Sequence, residues 1–240
     1  MAVEQQLEAV ILAGGLGTRL RSVVGDRPKP MADVGGKPFV AYLVDALKAQ
    51  GVERIVFSTG FLAHQVSDYF GTGDHWGIEM AYSQEPEPLG TGGAVRLALE
   101  QVRGDRFVVL NGDSYCPFQL PVLVQVHRQQ QALATLLLTS VEDCSRYGSV
   151  TINQAGAVIA FREKQAGLGV GLVNAGVYLL ERQAVETMPV GRQVSLEMEF
   201  FPTLVGQGLY ASIGDGALLD IGTPESYALA TQFLVAESLI

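Results

Sequence analysis

The chain has 240 residues, 48% of them hydrophobic and 17% charged, and a formal net charge of −9. That length and apolar content support a buried core without disulfide or metal staples and exclude disorder as the main state. The acidic balance argues against a nucleic-acid partner. The two cysteines, Cys116 and Cys144, fall in no CxxC pattern, which points to a reduced, cytoplasmic protein without structural zinc. The first residues are acidic and polar, with no basic leader, and the apolar run behind them is too short for a signal peptide or a span, so no membrane partner is expected. Sparse charge also leans towards a homo-oligomer, because a subunit interface covers surface that would otherwise need it.

In chain order, Leu7–Ala13 is an apolar run that ends in Gly14-Gly15, the pattern of a buried parallel strand entering a glycine-rich loop. Pro38–Gln50 carries Phe39, Leu43 and Leu47 at helical spacing and stops at Gly51. Strands are predicted at Arg54–Thr59, Ile78–Ser83 and Arg106–Leu110, with helices at Ala63–Phe70 and Thr91–Val102 between them. Further along come a strand at Ala134–Val141, a hairpin of Gly148–Asn153 with Ala157–Arg162, and a strand at Val173–Leu180. Leu209–Ile213 and Ala217–Ile221 are expected to pair with each other, and a helix over Pro224–Ser238 closes the chain. Repeated strand–helix units imply right-handed crossovers. The expected fold is α/β: a Rossmann-like mixed, mostly parallel sheet flanked by helices, in one domain over 1–240 with a soft division near residue 115.

The stretch from Gly14 to Lys37 holds Arg19, Arg21, Arg27, Lys29 and Lys37 against only Asp26 and Asp33. From Val185 onward, Arg192 stands alone against seven acids. A basic, glycine-rich loop after the first strand of an acidic protein suits a small anion, because open α/β sheets bind ligands at that end. Leu12-Ala13-Gly14-Gly15-Leu16-Gly17-Thr18-Arg19 lacks the third glycine of a dinucleotide fingerprint and is not a Walker A loop. It supplies backbone amides and a fixed guanidinium. Pro28-Lys29-Pro30 then offers an ammonium that two prolines are expected to hold in a stiff extended segment.

Those two motifs resemble the signature of the sugar-1-phosphate nucleotidylyltransferases. Leu89-Gly90-Thr91-Gly92-Gly93-Ala94, Asn111-Gly112-Asp113, Phe161-Arg162-Glu163-Lys164, Val173-Asn174-Ala175-Gly176 and Asp220-Ile221-Gly222-Thr223-Pro224 extend the likeness along nearly the whole chain. The resemblance implies the nucleotide-diphospho-sugar transferase fold in its short form, without a hexapeptide-repeat tail. It also implies a nucleotide-binding half at 1–115 and a sugar-phosphate-binding half at 116–240. A sugar 1-phosphate attacks the α-phosphorus of a nucleoside triphosphate and pyrophosphate leaves. The attacking oxygen is already an anion, so His64, His75, His127 and both cysteines are expected to be structural or surface residues.

On this reading Arg19, Lys29 and Asp113 are catalytic. Leu12, Ala13, Gly14, Gly15, Gly17, Thr18, Glu85, Gly90 and Thr91 bind the nucleotide. Asp113, just past a strand's carboxyl end, suits Mg²⁺, and the resemblance makes Asp220 its partner; taken alone, Asp220 could instead cap the helix that follows. The resemblance assigns Lys164 to the sugar phosphate and Glu163 to sugar hydroxyls. Asn174, a polar residue in an apolar strand, and the backbone of Gly148 are candidates for the sugar as well. Glu85 can accept from guanine N1–H and N2–H₂ together, whereas uracil and thymine offer one ring N–H and cytosine none there, so GTP is the expected donor.

For the acceptor, Arg19-Leu20-Arg21-Ser22-Val23-Val24 and Ser145-Arg146-Tyr147-Gly148-Ser149-Val150 look most like members that take D-glycero-α-D-manno-heptose 1-phosphate and make GDP-heptose for lipopolysaccharide and other surface glycans. Mannose 1-phosphate follows, and uridylyl or thymidylyl transfer to another hexose phosphate comes third. An inactive sugar-nucleotide sensor should have lost Arg19, Lys29 or Asp113, and all three are present.

Overall fold

A computed structural model describes residues 7–15, 20–162, 166–237 and 239. Seven strands form one sheet: β1 (Glu8–Leu12), β2 (Arg54–Thr59), β3 (Glu79–Gln84), β4 (Arg106–Asn111), β5 (Ala134–Val141), β6 (Gly171–Glu181) and β7 (Leu209–Gly214). Their order across the sheet is β7-β5-β6-β4-β1-β2-β3. β1 runs parallel to β2 and β4, β2 parallel to β3, and β5 parallel to β7, while β6 is antiparallel to both β4 and β5. The expected mostly parallel α/β sheet is thus present, and its strands come from both sides of residue 115.

Side chains alternate across the sheet and build a core on each face. On one face Ile11, Ile55, Phe57 and Leu110 meet helix α1 (Phe39–Ala49) through Phe39, Leu43 and Leu47. Helix α2 (Ala63–Phe70) lies on the same face, with Phe70 stacked on Phe57 at 4.7 Å between ring centroids. On the other face Val10, Val56, Val109 and Tyr178 meet Val95 and Ala98 of helix α3 (Gly90–Ala98), together with Phe200 and Phe201. All six residues of β2 are buried, as a strand covered on both faces requires.

Three local expectations need correction. Leu209–Ile213 and Ala217–Ile221 do not pair: β7 joins the main sheet beside β5, and Leu219-Asp220 pair instead with Ser114-Tyr115. The closing helix breaks at Leu229 into Pro224–Ala228 and Ala230–Ala236, and Ser238 lies outside the described residues. Lys29 is not in an extended segment. Lys29–Met31 forms a 3-10 turn closed by Met31 N–H on the Pro28 carbonyl (2.8 Å), because proline in a first turn has no N–H to satisfy and its φ already suits a helix.

Helix α4 (Leu120–Gln129) is an addition to the expected elements. Pro121 reads as a breaker but sits harmlessly in the first turn, and one of its three buried positions is His127, which breaks the apolar pattern. His127 bonds Thr135 at 2.8 Å and Glu181 at 3.0 Å, and burial lowers its pKa. His64 and His75 are exposed. Among the described residues no helix is long and apolar enough to cross a membrane.

Candidate active site

From β1 the chain builds outward through β2 and β3, then returns to place β4 on the opposite side of β1. The carboxyl ends of β1 and β4 therefore feed loops in opposite directions and leave a crevice between them. Leu12 and Asn111 face each other at that end, and Gly112 N–H donates to the Leu12 carbonyl at 2.9 Å. A Cβ on Gly112 would sit 2.5 Å from that oxygen, so only glycine lets the two strand ends run so close. The cleft holds about 360 Å³.

Its walls gather much of the expected nucleotide set. Leu12, Gly14 and Gly15 line it from the end of β1, and Glu85, Gly90 and Thr91 from the segment after β3. Ala13 is buried, its N–H donating to the Ser58 carbonyl at 2.7 Å. Gly17, Thr18 and Arg19 lie outside the described residues. The half-buried Glu85 accepts from Leu89 N–H through Oε2 at 2.9 Å, while Oε1 packs against Gly14 so closely that a Cβ there would overlap it. Burial pushes the Glu85 carboxyl above its ordinary range, and the Leu89 amide pulls it partly back.

At the other end of the cleft the Lys29 ammonium, buried in its turn, donates to Asp113 Oδ2 at 2.6 Å and to Asp220 Oδ1 at 3.4 Å. The short pairing of Leu219-Asp220 with Ser114-Tyr115 brings the two carboxylates together across 107 positions of sequence. Asp220 is not the helix cap. Thr223 fills that role, accepting from Ser226 N–H at 3.3 Å while the Ser226 hydroxyl receives Thr223 N–H at 3.2 Å. Two hard carboxylates converging on one cation are donors of the kind a magnesium ion accepts. Among the described residues no group of three or more His, Cys, Asp or Glu could hold a metal.

The expected sugar-side residues lie away from the cleft walls or outside the description. Glu163 and Lys164 are outside the described residues. Gly148 closes a turn at φ +76°, its N–H on the Cys144 carbonyl at 2.9 Å. The neighbouring Tyr147 phenol is pushed up by burial, against Arg146 and with a smaller push from Asp220, so this turn stands within electrostatic reach of Asp220. Asn174 on β6 donates to the Tyr178 hydroxyl at 2.8 Å and accepts from Gly176 N–H at 2.9 Å. Thr91 is also engaged inside the protein: its hydroxyl donates to Glu197 at 2.9 Å and accepts from Leu196 N–H at 2.8 Å.

Sequence reasoning misses Asn111, Gln193 and Glu197. Asn111 and Gln193 line the cleft, and Glu197 stands directly behind Thr91. Asn111 has its signal in the Asn111-Gly112-Asp113 motif; Gln193 and Glu197 lie in a stretch with no motif of its own. Among the described residues, no histidine or cysteine lines the cleft. The arrangement provides a buried ammonium, two carboxylates and a shielded acceptor, which equips it to neutralise and orient charged groups.

Comparison with known proteins identifies the family. A family described as nucleotidyl transferase matches residues 8–237. The chain is 38% identical over 229 residues to D-glycero-alpha-D-manno-heptose 1-phosphate guanylyltransferase of Aneurinibacillus thermoaerophilus, covering 95% of this chain and 98% of that one. It is 36% identical over 233 residues to mannose-1-phosphate guanylyltransferase of Mycobacterium tuberculosis, covering 96% of this chain and 65% of that protein. The crystal structure of HddC from Yersinia pseudotuberculosis complexed with GMP-PN superposes with a TM-score of 0.83 at 35% identity, over 94% of this chain and 98% of that one.

Proposed function

Because the chain belongs to the nucleotidyl transferase family, we propose that it transfers a guanylyl group from GTP to D-glycero-α-D-manno-heptose 1-phosphate in the cytoplasm, a supply step for surface glycans. A phosphate oxygen of the sugar 1-phosphate attacks the α-phosphorus. The bond from that phosphorus to the bridging oxygen breaks, and its electron pair leaves with pyrophosphate. The attacking oxygen carries its own negative charge, so the reaction needs no protein base and no covalent intermediate. What remains for the protein is alignment and charge neutralisation.

The observation that carries the choice of GTP is Glu85, an acceptor held beside Gly14 in the cleft. Its two oxygens match the paired N1–H and N2–H₂ donors of guanine. Lys29 neutralises triphosphate charge, and Arg19, at the end of the glycine loop, does the same. Asp113 and Asp220 would hold Mg²⁺, an ion that takes few carboxylates and fills its other positions with phosphate oxygens and water. When bound, the ion supplies charge neutralisation on the reacting phosphates. Asn174, Gly148, Glu163 and Lys164 are the chain's own candidates for the sugar phosphate.

Heptose leads because the relative named D-glycero-alpha-D-manno-heptose 1-phosphate guanylyltransferase is matched over 98% of its length. Mannose 1-phosphate is the second reading, favoured by the 36% identity to the mycobacterial enzyme. The deciding experiment crosses four nucleoside triphosphates with heptose, mannose and glucose 1-phosphates in the presence of Mg²⁺ and scores pyrophosphate. GTP with the heptose phosphate should give the highest kcat/KM. Preference for UTP or dTTP would overturn the base assignment, and preference for mannose would move the sugar. No release from any pair would leave a sugar-nucleotide sensor.

A further inference from the structure

The run Leu89–Gly93 is glycine-rich for a reason the nucleotide does not exhaust. A second stretch of chain, Arg192–Glu197, lies directly on it. Val194 N–H donates to the Leu89 carbonyl at 2.9 Å, and the Val194 carbonyl accepts from Gly92 N–H at 2.8 Å and Gly93 N–H at 3.2 Å. A Cβ on Gly90 would fall 2.6 Å from the Val194 carbonyl oxygen, and one on Gly93 would fall 2.6 Å from that of Arg192. This strap carries Gln193 into the cleft wall. It ends in Leu196–Phe200, a π-helical turn, a widened geometry that recurs at functional sites.

Glu197 sits in that turn and joins two parts of the molecule. Its Oε2 accepts from the Thr91 hydroxyl at 2.9 Å and the Ser195 hydroxyl at 3.1 Å. Its Oε1 accepts from the Tyr178 hydroxyl at 3.1 Å. Tyr178 is fully buried on β6 and receives in turn the Asn174 amide at 2.8 Å. Burial first, and the Glu197 charge second, push the Tyr178 phenol well above its ordinary range, so it stays protonated and donates. One carboxylate thus ties the start of α3, at the nucleotide cleft, to the strand that bears Asn174.

We propose that Glu197 is a positioning residue, which fixes the nucleotide-facing start of α3 and the Asn174 strand at one separation so that the two substrates meet in a single geometry. This rests on the guanylyl-transfer reading above. The two fail separately: absence of turnover in the unsubstituted protein sinks that reading, whereas normal turnover in the variants below sinks this one.

The test is a kinetic cycle on Glu197→Ala, Tyr178→Phe and their double variant, with Glu197→Gln as the conservative control. Hydrogen bonds to a charged group are strong enough for each single change to lower kcat about 10- to 100-fold. KM for either substrate should move less than about threefold, since binding groups stay in place and only their mutual alignment is lost. The double variant should lose little more than the worse single one, because both break the same link. Glu197→Gln, which still accepts from Tyr178, should recover most of the rate. If Glu197→Ala fails to fold, Tyr178→Phe, which removes one oxygen from a packed ring, decides alone. A kcat within twofold of the unsubstituted protein, a fall in thermal midpoint with kcat intact, or multiplicative losses in the double variant would each overturn the proposal.

Discussion

Glu85 shows how a side chain can carry selectivity through its surroundings. Its carboxylate is held by the Leu89 amide on one oxygen, and the other occupies the space that a side chain on Gly14 would fill. Glu85→Gln replaces one acceptor with a donor pair, so GTP should lose about 10- to 100-fold in kcat/KM while UTP and dTTP lose less. A parallel drop for all three nucleotides would sink the base-reading role. Burial raises the Glu85 pKa, so on acidification this group takes up its proton at a higher pH than an ordinary carboxylate would. Protonation removes an acceptor for guanine. GTP affinity measured by calorimetry should therefore begin to fall earlier on the acid side than an unperturbed carboxylate would allow. Glu85→Gln should lack that limb; triphosphate protonation is common to both proteins and cancels in the comparison. Gly14→Ala reaches the same group from the other side. The added methyl must displace Oε1, so nucleotide selectivity should relax although Glu85 itself is intact.

At the scale of elements, the strap over α3 sets the nucleotide wall. Gly93→Ala would drive a methyl into the Arg192 carbonyl, and backbone cannot swing aside as a side chain can. Overpacking of this kind costs about 1–3 kcal/mol. The strap carrying Gln193 should lift, raising KM for the nucleotide more than KM for the sugar phosphate. Equal changes in both would mean that the strap serves folding alone. The same contact explains what could be read from sequence and what could not. β2 and β4 are legible because each carries an unbroken apolar run, at 55–57 and 107–110, as a strand covered on both faces requires. The Leu89–Gly93 run is legible as a motif, but the reason for its glycines is a partner about a hundred residues away with no pattern of its own. Asp113 is legible from its place after a strand. Its meeting with Asp220 depends on a two-residue pairing that no local periodicity announces. The 3-10 turn at Lys29 and helix α4 are hidden for one reason: proline reads as a stop although a first turn accommodates it.

Across the whole molecule, the sheet decides whether the two halves of the chain are separate bodies. β4 comes before residue 115 and β6 after it, and the two exchange ladder hydrogen bonds from Arg106–Glu181 to Leu110–Val177. The cleft is bounded by residues of both halves, from Leu12 to Gln193. A sheet joined in this way should melt as one unit, because parting the halves would leave β4 and β6 each with an unpaired backbone edge in the middle of the sheet. Ile55→Val removes a methylene from the core on one face, and Leu136→Ala opens a cavity in the core on the other. Ile→Val costs about 0.5–1.5 kcal/mol and Leu→Ala about 2–5 kcal/mol. Their strands are four positions apart in the sheet, roughly 19 Å at normal strand spacing, so the losses should add. Urea titration followed by both tryptophan fluorescence and far-UV circular dichroism should give one coincident transition in all four proteins, shifted by the sum in the double variant. Two transitions, each moved by only one of the substitutions, would mean that the halves fold separately and meet only at the cleft.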